Sequence, residues 1–243
     1  MTSSPTDAGG AAGRLAAIEA GILEACRVSG RARDSVRLIA VSKEQPDAAV
    51  AELLALGVRH FGENRVQPLA ARVSTFGGPP VAWHLIGPVQ TNKVRDLARL
   101  GGALAMVHTV DRPALVEAFD ARWPAGQPLP VCLQVNVDRE ATKAGCDPEG
   151  LDALADRVVA SPVLRLRGLM AIPAPGDLTS LRRAFAGLRQ LSETIADRVA
   201  PPGPGEARVE LSMGMSDDFP LAIAEGATLI RVGSALFGPR PGR

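Results

Sequence analysis

Residues 38–46 read LIAVSKEQP, so an aliphatic run passes through Ser42 straight into Lys43. A strand buried on both faces offers no water to an ammonium group, which places this lysine at the mouth of a strand, where the chain leaves the core. Of 27 basic residues only Lys43, Lys93 and Lys143 are lysines. Where any positive charge serves, this chain uses arginine. A lysine kept against that bias is suited to what guanidinium cannot do, the capture of a carbonyl by an amine. Farther along, SMGMS (212–216) and RVGSALFG (231–238) join glycines to hydroxyls, a composition that turns backbone N–H groups toward an anion such as phosphate. The same glycines would also serve plain tight turns, and Lys43 could equally stand exposed beside the next helix.

The elements that position these residues follow from periodicity. Short aliphatic runs at 36–42, 58–62, 81–87, 105–110, 129–137, 164–172, 207–214 and 228–233 read as eight strands, with helical patterns such as DAAVAELLALG, QTNKVRDLARLG and LTSLRRAFAGLRQLSETIADRVA between them. Strict alternation predicts parallel strands, and eight units close a barrel: an α/β fold, a single (β/α)8 barrel of the TIM type. Its usual length of roughly 250 residues suits this chain. An extra N-terminal helix is expected from Arg14 to about Val28, with Leu15, Ile18, Ile22, Leu23 and Cys26 on one face. Residues 1–12 read as a mobile tail, and 13–243 as the barrel domain. The rival is an open doubly wound sheet. Against it, no G-x-G-x-x-G follows the first strand, and polar residues follow most strands instead of gathering at one switch point.

A barrel of this kind carries its site at the C-terminal strand ends and often binds phosphate after strands seven and eight. All three lysines fall after strands, and Lys43 would face SMGMS and RVGS across the seam where the barrel closes. That arrangement fits a phosphorylated aldehyde held as a Schiff base.

A net charge of +1 with both signs interspersed argues against nucleic acid or an anionic membrane as partner. No apolar run approaches the roughly 18 residues of a membrane span, and no signal segment is evident, so the reading is cytoplasmic. Cys26, Cys132 and Cys146 lack metal or disulfide spacing and read as buried thiols. His60, His84 and His108 each end an apolar run and read first as hydrogen-bonded core histidines.

In order, VSKEQP, FGENRVQ, WHLIGPVQTNK, HTVDR, QVNVDREATKAG, RGLMAIP, LSMGMSDDF and IRVGSALFG resemble the motifs of the pyridoxal phosphate homeostasis protein family, over residues 36 to 239. The resemblance implies a barrel similar to the N-terminal domain of alanine racemase and pyridoxal 5′-phosphate as cofactor. By matching motif it implies Lys43 as the aldimine lysine, Ser212, Gly233 and Ser234 at the phosphate, and Arg231 at the pyridine nitrogen. Asn64 and His84 would lie around the cofactor and Met213 near the phosphate turn. Lys93 and Lys143 would supply charge or an alternative landing site. Ser234 stands where the family commonly has threonine, Arg65 where tyrosine is usual, and Glu44 where threonine is frequent.

A guanidinium beside the ring nitrogen disfavours its protonation and so weakens carbanion chemistry; the plainer role for Arg231 is an ion pair at the barrel mouth. Racemisation also needs a second acid or base opposite the lysine. Alanine racemase takes a tyrosine from a C-terminal β domain for this, and the present sequence has no tyrosine and stops soon after Val232. The expectation is a binding protein of intracellular vitamin B6 homeostasis, a monomer or weak dimer, that hands its cofactor to apo-enzymes. The alternative is a weak amino-acid racemase or another Schiff-base barrel enzyme.

Overall fold

The computed structural model describes residues 10–140, 142–203 and 205–238. Helix α1 (Ala11–Val28) precedes β1 (Arg37–Val41), α2 (Asp47–Ala55), β2 (His60–Glu63), α3 (Val66–Phe76), β3 (Ala82–Leu85), α4 (Val94–Ala98), β4 (Leu104–Val110) and α5 (Pro113–Asp120). The second half continues with β5 (Leu129–Gln134), α6 (Leu151–Val159), β6 (Leu164–Met170), α7 (Leu178–Thr194), β7 (Glu210–Ser212), α8 (Phe219–Ala224), β8 (Leu229–Val232) and α9 (Ser234–Phe237). The eight strands close in chain order into a parallel barrel. Parallel neighbours need crossovers, and the intervening helices supply them.

Closure runs through β1 and β8, where Ile39 pairs with Arg231 and Ala40 with Val232. Paired residues share a face, so Ile39 and Arg231 point inward while Leu38 and Ile230 pack outward against the helices. The inward residues Ile39, Met106, Cys132, Met170 and Leu229 form a small apolar plug separate from the main shell.

The extra N-terminal helix is present and packs on α8 and α9. Arg14 Nε donates to Leu236 O at 2.8 Å and Arg31 Nη1 to Ile223 O at 2.8 Å. Ile18, Ile22 and Cys26, four residues apart, are its buried stripe. Leu23 was expected on that face, but one residue on from Ile22 it is turned by about 100° and is exposed. Residues 1–9 of the expected tail lie outside the described residues; Ala11 and Ala12 are already helical.

All eight strands shift by a residue or more at one end or both relative to the sequence reading, and two of these shifts bear on the site. The second runs to Glu63, one residue farther than the aliphatic pattern, because Arg72 and Ser42 meet that carboxylate on the outer face. The seventh is limited to Glu210–Ser212, and only Ser212 pairs with β8. No helix among the described residues is long and apolar enough to cross a membrane.

Candidate functional site

A cavity of about 490 Å³ opens at the C-terminal rim of the barrel. Lys43, Asn64, Arg231, Gly233 and Ser234 line it, together with Lys143 and Ser216. His84, Ser212 and Met213 do not reach its wall. Met213 belongs to the apolar shell, and His84 and Ser212 lie beneath the cavity in the barrel interior. Lys93 stands outside, beside Asp96 at 3.9 Å. Arg65, at the N-cap of α3, is exposed.

Lys43 and Glu44 are the central residues of a turn closed by Gln45 N–H on Ser42 O at 3.1 Å. Glu44 has φ 60°, sparsely populated for a residue with a side chain. A buried arginine holds this turn from behind. Arg72 Nη2 donates to Ser42 O and Gln45 O, Nη1 pairs with Asp47, and Nε reaches Glu63 Oε1 at 3.3 Å. The same Glu63 oxygen accepts from Ser42 Oγ at 2.8 Å, whereas Oε2 is buried with no hydrogen-bond partner among the described residues. Burial raises the Glu63 pKa against the opposing pull of Ser42, Arg72 and Lys43. Lys43 itself makes no hydrogen bond or ion pair among the described residues, while Lys143 is tied to Asp138 at 3.1 Å.

Across the β1/β8 seam, three donors converge on one hydroxyl. Gly233 N, Ser234 Oγ and Ala235 N all point at Ser216 Oγ, from 3.4, 3.4 and 3.5 Å. These are long bonds to a single neutral oxygen, and a group of anionic oxygens in the cavity would satisfy the same donors better. Asp217 is the one carboxylate on this wall, at its exposed edge. The donor set and cavity size fit a phosphate ester. Gly87 on the facing wall is required for space: a Cβ there would sit 2.2 Å from Asn64 O.

Arg231 forms part of the cavity wall with its guanidinium buried. Nη1 donates to Ser212 Oγ at 2.8 Å and Nη2 to Ala171 O at 3.0 Å. Burial lowers its pKa to about 10, so it remains charged at neutral pH. From Ser212 a file of histidines descends through the barrel. His108 Nδ1 lies 2.7 Å from Ser212 Oγ, His84 Nδ1 lies 2.9 Å from His108 Nε2, and His60 Nδ1 lies 3.0 Å from His84 Nε2.

Sequence reasoning missed Arg72 behind the lysine turn and two further features. Ser216, not Ser212, lies with Gly233 and Ser234, because Ser212 is an inward residue of β7 and therefore sits below the rim. The histidine file did leave a signal: the three residues are spaced 24 apart, which sets them on the neighbouring strands β2, β3 and β4, each two residues farther along in register than the last.

The alanine racemase N-terminal domain family matches residues 14–241. The pyridoxal phosphate homeostasis protein of Pseudomonas aeruginosa is 46% identical over 93% of this chain and 94% of its own. PipY of Synechococcus elongatus, solved with PLP bound, superposes with a TM-score of 0.75 at 38% identity, covering 94% of this chain and 100% of PipY. Alanine racemase of Corynebacterium glutamicum shares the fold alone, with a TM-score of 0.64 at 17% identity over 93% of this chain and 62% of the racemase. The chain belongs to the pyridoxal phosphate homeostasis protein family, built on the alanine racemase N-terminal domain.

Proposed function

We propose that the protein binds pyridoxal 5′-phosphate in the rim cavity, with Lys43 as its covalent attachment point, and serves vitamin B6 homeostasis in the cytoplasm as a monomer or weak dimer. The observation that carries this is one cavity holding an unpaired lysine on one side of the barrel seam and converging donors on the other. When bound, the cofactor supplies an aldehyde that amines attack. Gly233 N, Ala235 N and the hydroxyls of Ser216 and Ser234 anchor the phosphate, Asn64 bounds the pocket beside Gly87, and Arg231 meets the ring nitrogen as a permanent donor. A permanent donor there withholds a proton from the ring, which favours storage and hand-over to apo-enzymes over turnover.

Borohydride reduction of the loaded protein followed by peptide mapping tests the assignment. The label is expected on the peptide containing Lys43, and Lys43→Ala is expected to abolish it. A label on Lys93 or Lys143 in the otherwise intact protein would refute it. Incubation with L- or D-alanine and chiral chromatography separates storage from catalysis: sustained turnover that depends on Lys43 would establish the enzyme instead.

A further inference from the structure

Arg231 can only donate, so the oxygen of Ser212 must accept from it. The single Ser212 proton then has one use among the described residues, donation to His108 Nδ1 at 2.7 Å. With Nδ1 accepting, neutral His108 carries its proton on Nε2 and donates to His84 Nδ1; by the same step His84 donates from Nε2 to His60 Nδ1. The charge at the cavity thus dictates one tautomer, Nε2–H, for all three imidazoles.

The rings are disposed for these bonds and not for stacking. Their centroids are 5.3 and 5.1 Å apart and their planes are inclined at 47° and 68°. The surroundings keep them neutral. Burial and Arg231 lower the His108 pKa to about 3, burial and the flanking histidines lower that of His84, and burial with Arg37 brings His60 to about 4. Other charges near this end are Asp218 toward Arg231 and Glu210 toward Cys132.

We propose that His108 and His84 are positioning residues for Arg231: the oriented file fixes the Ser212 hydroxyl as an acceptor and so fixes the edge that the guanidinium presents to the cavity. A lone serine hydroxyl rotates among acceptors, whereas one claimed by His108 keeps its lone pairs on Arg231. Ala171 O holds the other terminal nitrogen, so the guanidinium is fixed at two points. The file itself stands on this chain's geometry. Its effect on the cofactor rests on the proposed binding function.

The chain has only three histidines, so long-range proton–nitrogen correlation on histidine-labelled, cofactor-free protein reads the whole file. Three neutral Nε2–H tautomers are expected at pH 7, with the His108 Nδ1 signal displaced in Ser212→Ala. An Nδ1–H tautomer, or an averaged signal, at His108 or His84 overturns the proposal. This arm is independent of whether any cofactor binds.

The second arm follows the visible spectrum of the loaded protein against pH. His108→Phe, which removes the acceptor, is expected to move the midpoint by roughly half a pH unit or more. His108→Asn, which offers an oxygen near the Nδ1 position, is expected to recover most of that shift. Equal midpoints in wild type and His108→Phe would overturn the positioning role. Absence of label at Lys43 would instead sink the binding assignment and leave the tautomer result standing.

Discussion

Two of the charged groups that line the cavity, Lys43 and Arg231, are held by opposite means. Lys43 sits on a turn fastened from outside the barrel by ionic partners: Glu63, Arg72 and Asp47. Arg231 is fastened from inside by neutral ones, Ser212 and the histidine file. The difference follows from what each side chain must do. An attacking amine needs freedom, so the protein fixes its backbone turn and leaves the side chain unpaired. A donor to a ring nitrogen needs direction, so the protein fixes the side chain itself, and neutral imidazoles do this without adding a second buried charge.

The largest effect should come from breaking the ionic support. Arg72→Ala leaves the buried Glu63 carboxyl with Ser42 as its one hydrogen-bond donor among the described residues and removes both carbonyl contacts of the lysine turn. Loss of one partner of a buried pair costs about 3–5 kcal/mol, read as a fall in the urea midpoint at unchanged m. Adding Glu63→Gln should return part of the loss, since an amide needs no counter-charge. A change below about 1 kcal/mol in Arg72→Ala would show that the turn is held by its own hydrogen bonds.

Acid separates the two supports by sign. His84 and His108 have folded pKa values below their ordinary 6.5, so the unfolded chain binds more protons than the folded one beneath that pH. Their contribution is complete above 6.5 and is lost as pH falls, by about 1.4 kcal/mol per pH unit for each, and with His60, lowered to about 4, the three together lose roughly 4 per unit above that value. Glu63 has a raised pKa, so acid affects it in the opposite sense: the folded state takes up its proton first, and stability is regained between the raised value and the ordinary 4.5. Urea unfolding between pH 7.5 and 5 should therefore show a steep decline beginning near 6.5. In His108→Asn the slope should lessen by about one proton. A flat profile through this range would mean that the folded imidazoles take up protons as freely as the unfolded ones, so that burial does not hold the file neutral.

The ionic support was half legible in the sequence and the neutral one hardly at all, for physical reasons. Lys43 was visible because its charge conflicts with LIAVS, and the barrel because helical and alternating stretches repeat eight times. Arg72 was not, since an arginine on an amphipathic helix looks solvated until the fold brings β2 beneath it. Histidines at the ends of apolar runs look like isolated core residues, and only their equal spacing, taken with the strand count, aligns them on neighbouring strands. The assignment of Ser212 to the phosphate failed to reach the cavity because glycine and serine content marks a rim without telling which hydroxyl lies above it.

The smallest effect should come from the serines at the two strand ends, and it sharpens the comparison. Ser42→Ala removes a single hydrogen bond to a Glu63 oxygen that Arg72 still reaches, and a loss of about 1 kcal/mol is expected. Ser212→Ala removes an acceptor from a buried guanidinium and a donor from a buried imidazole together, and about twice that loss is expected. The ratio is more informative than either value. Equal losses would mean that water replaces the Ser212 hydroxyl between Arg231 and His108, and that the file is anchored by packing instead of by the proton it receives.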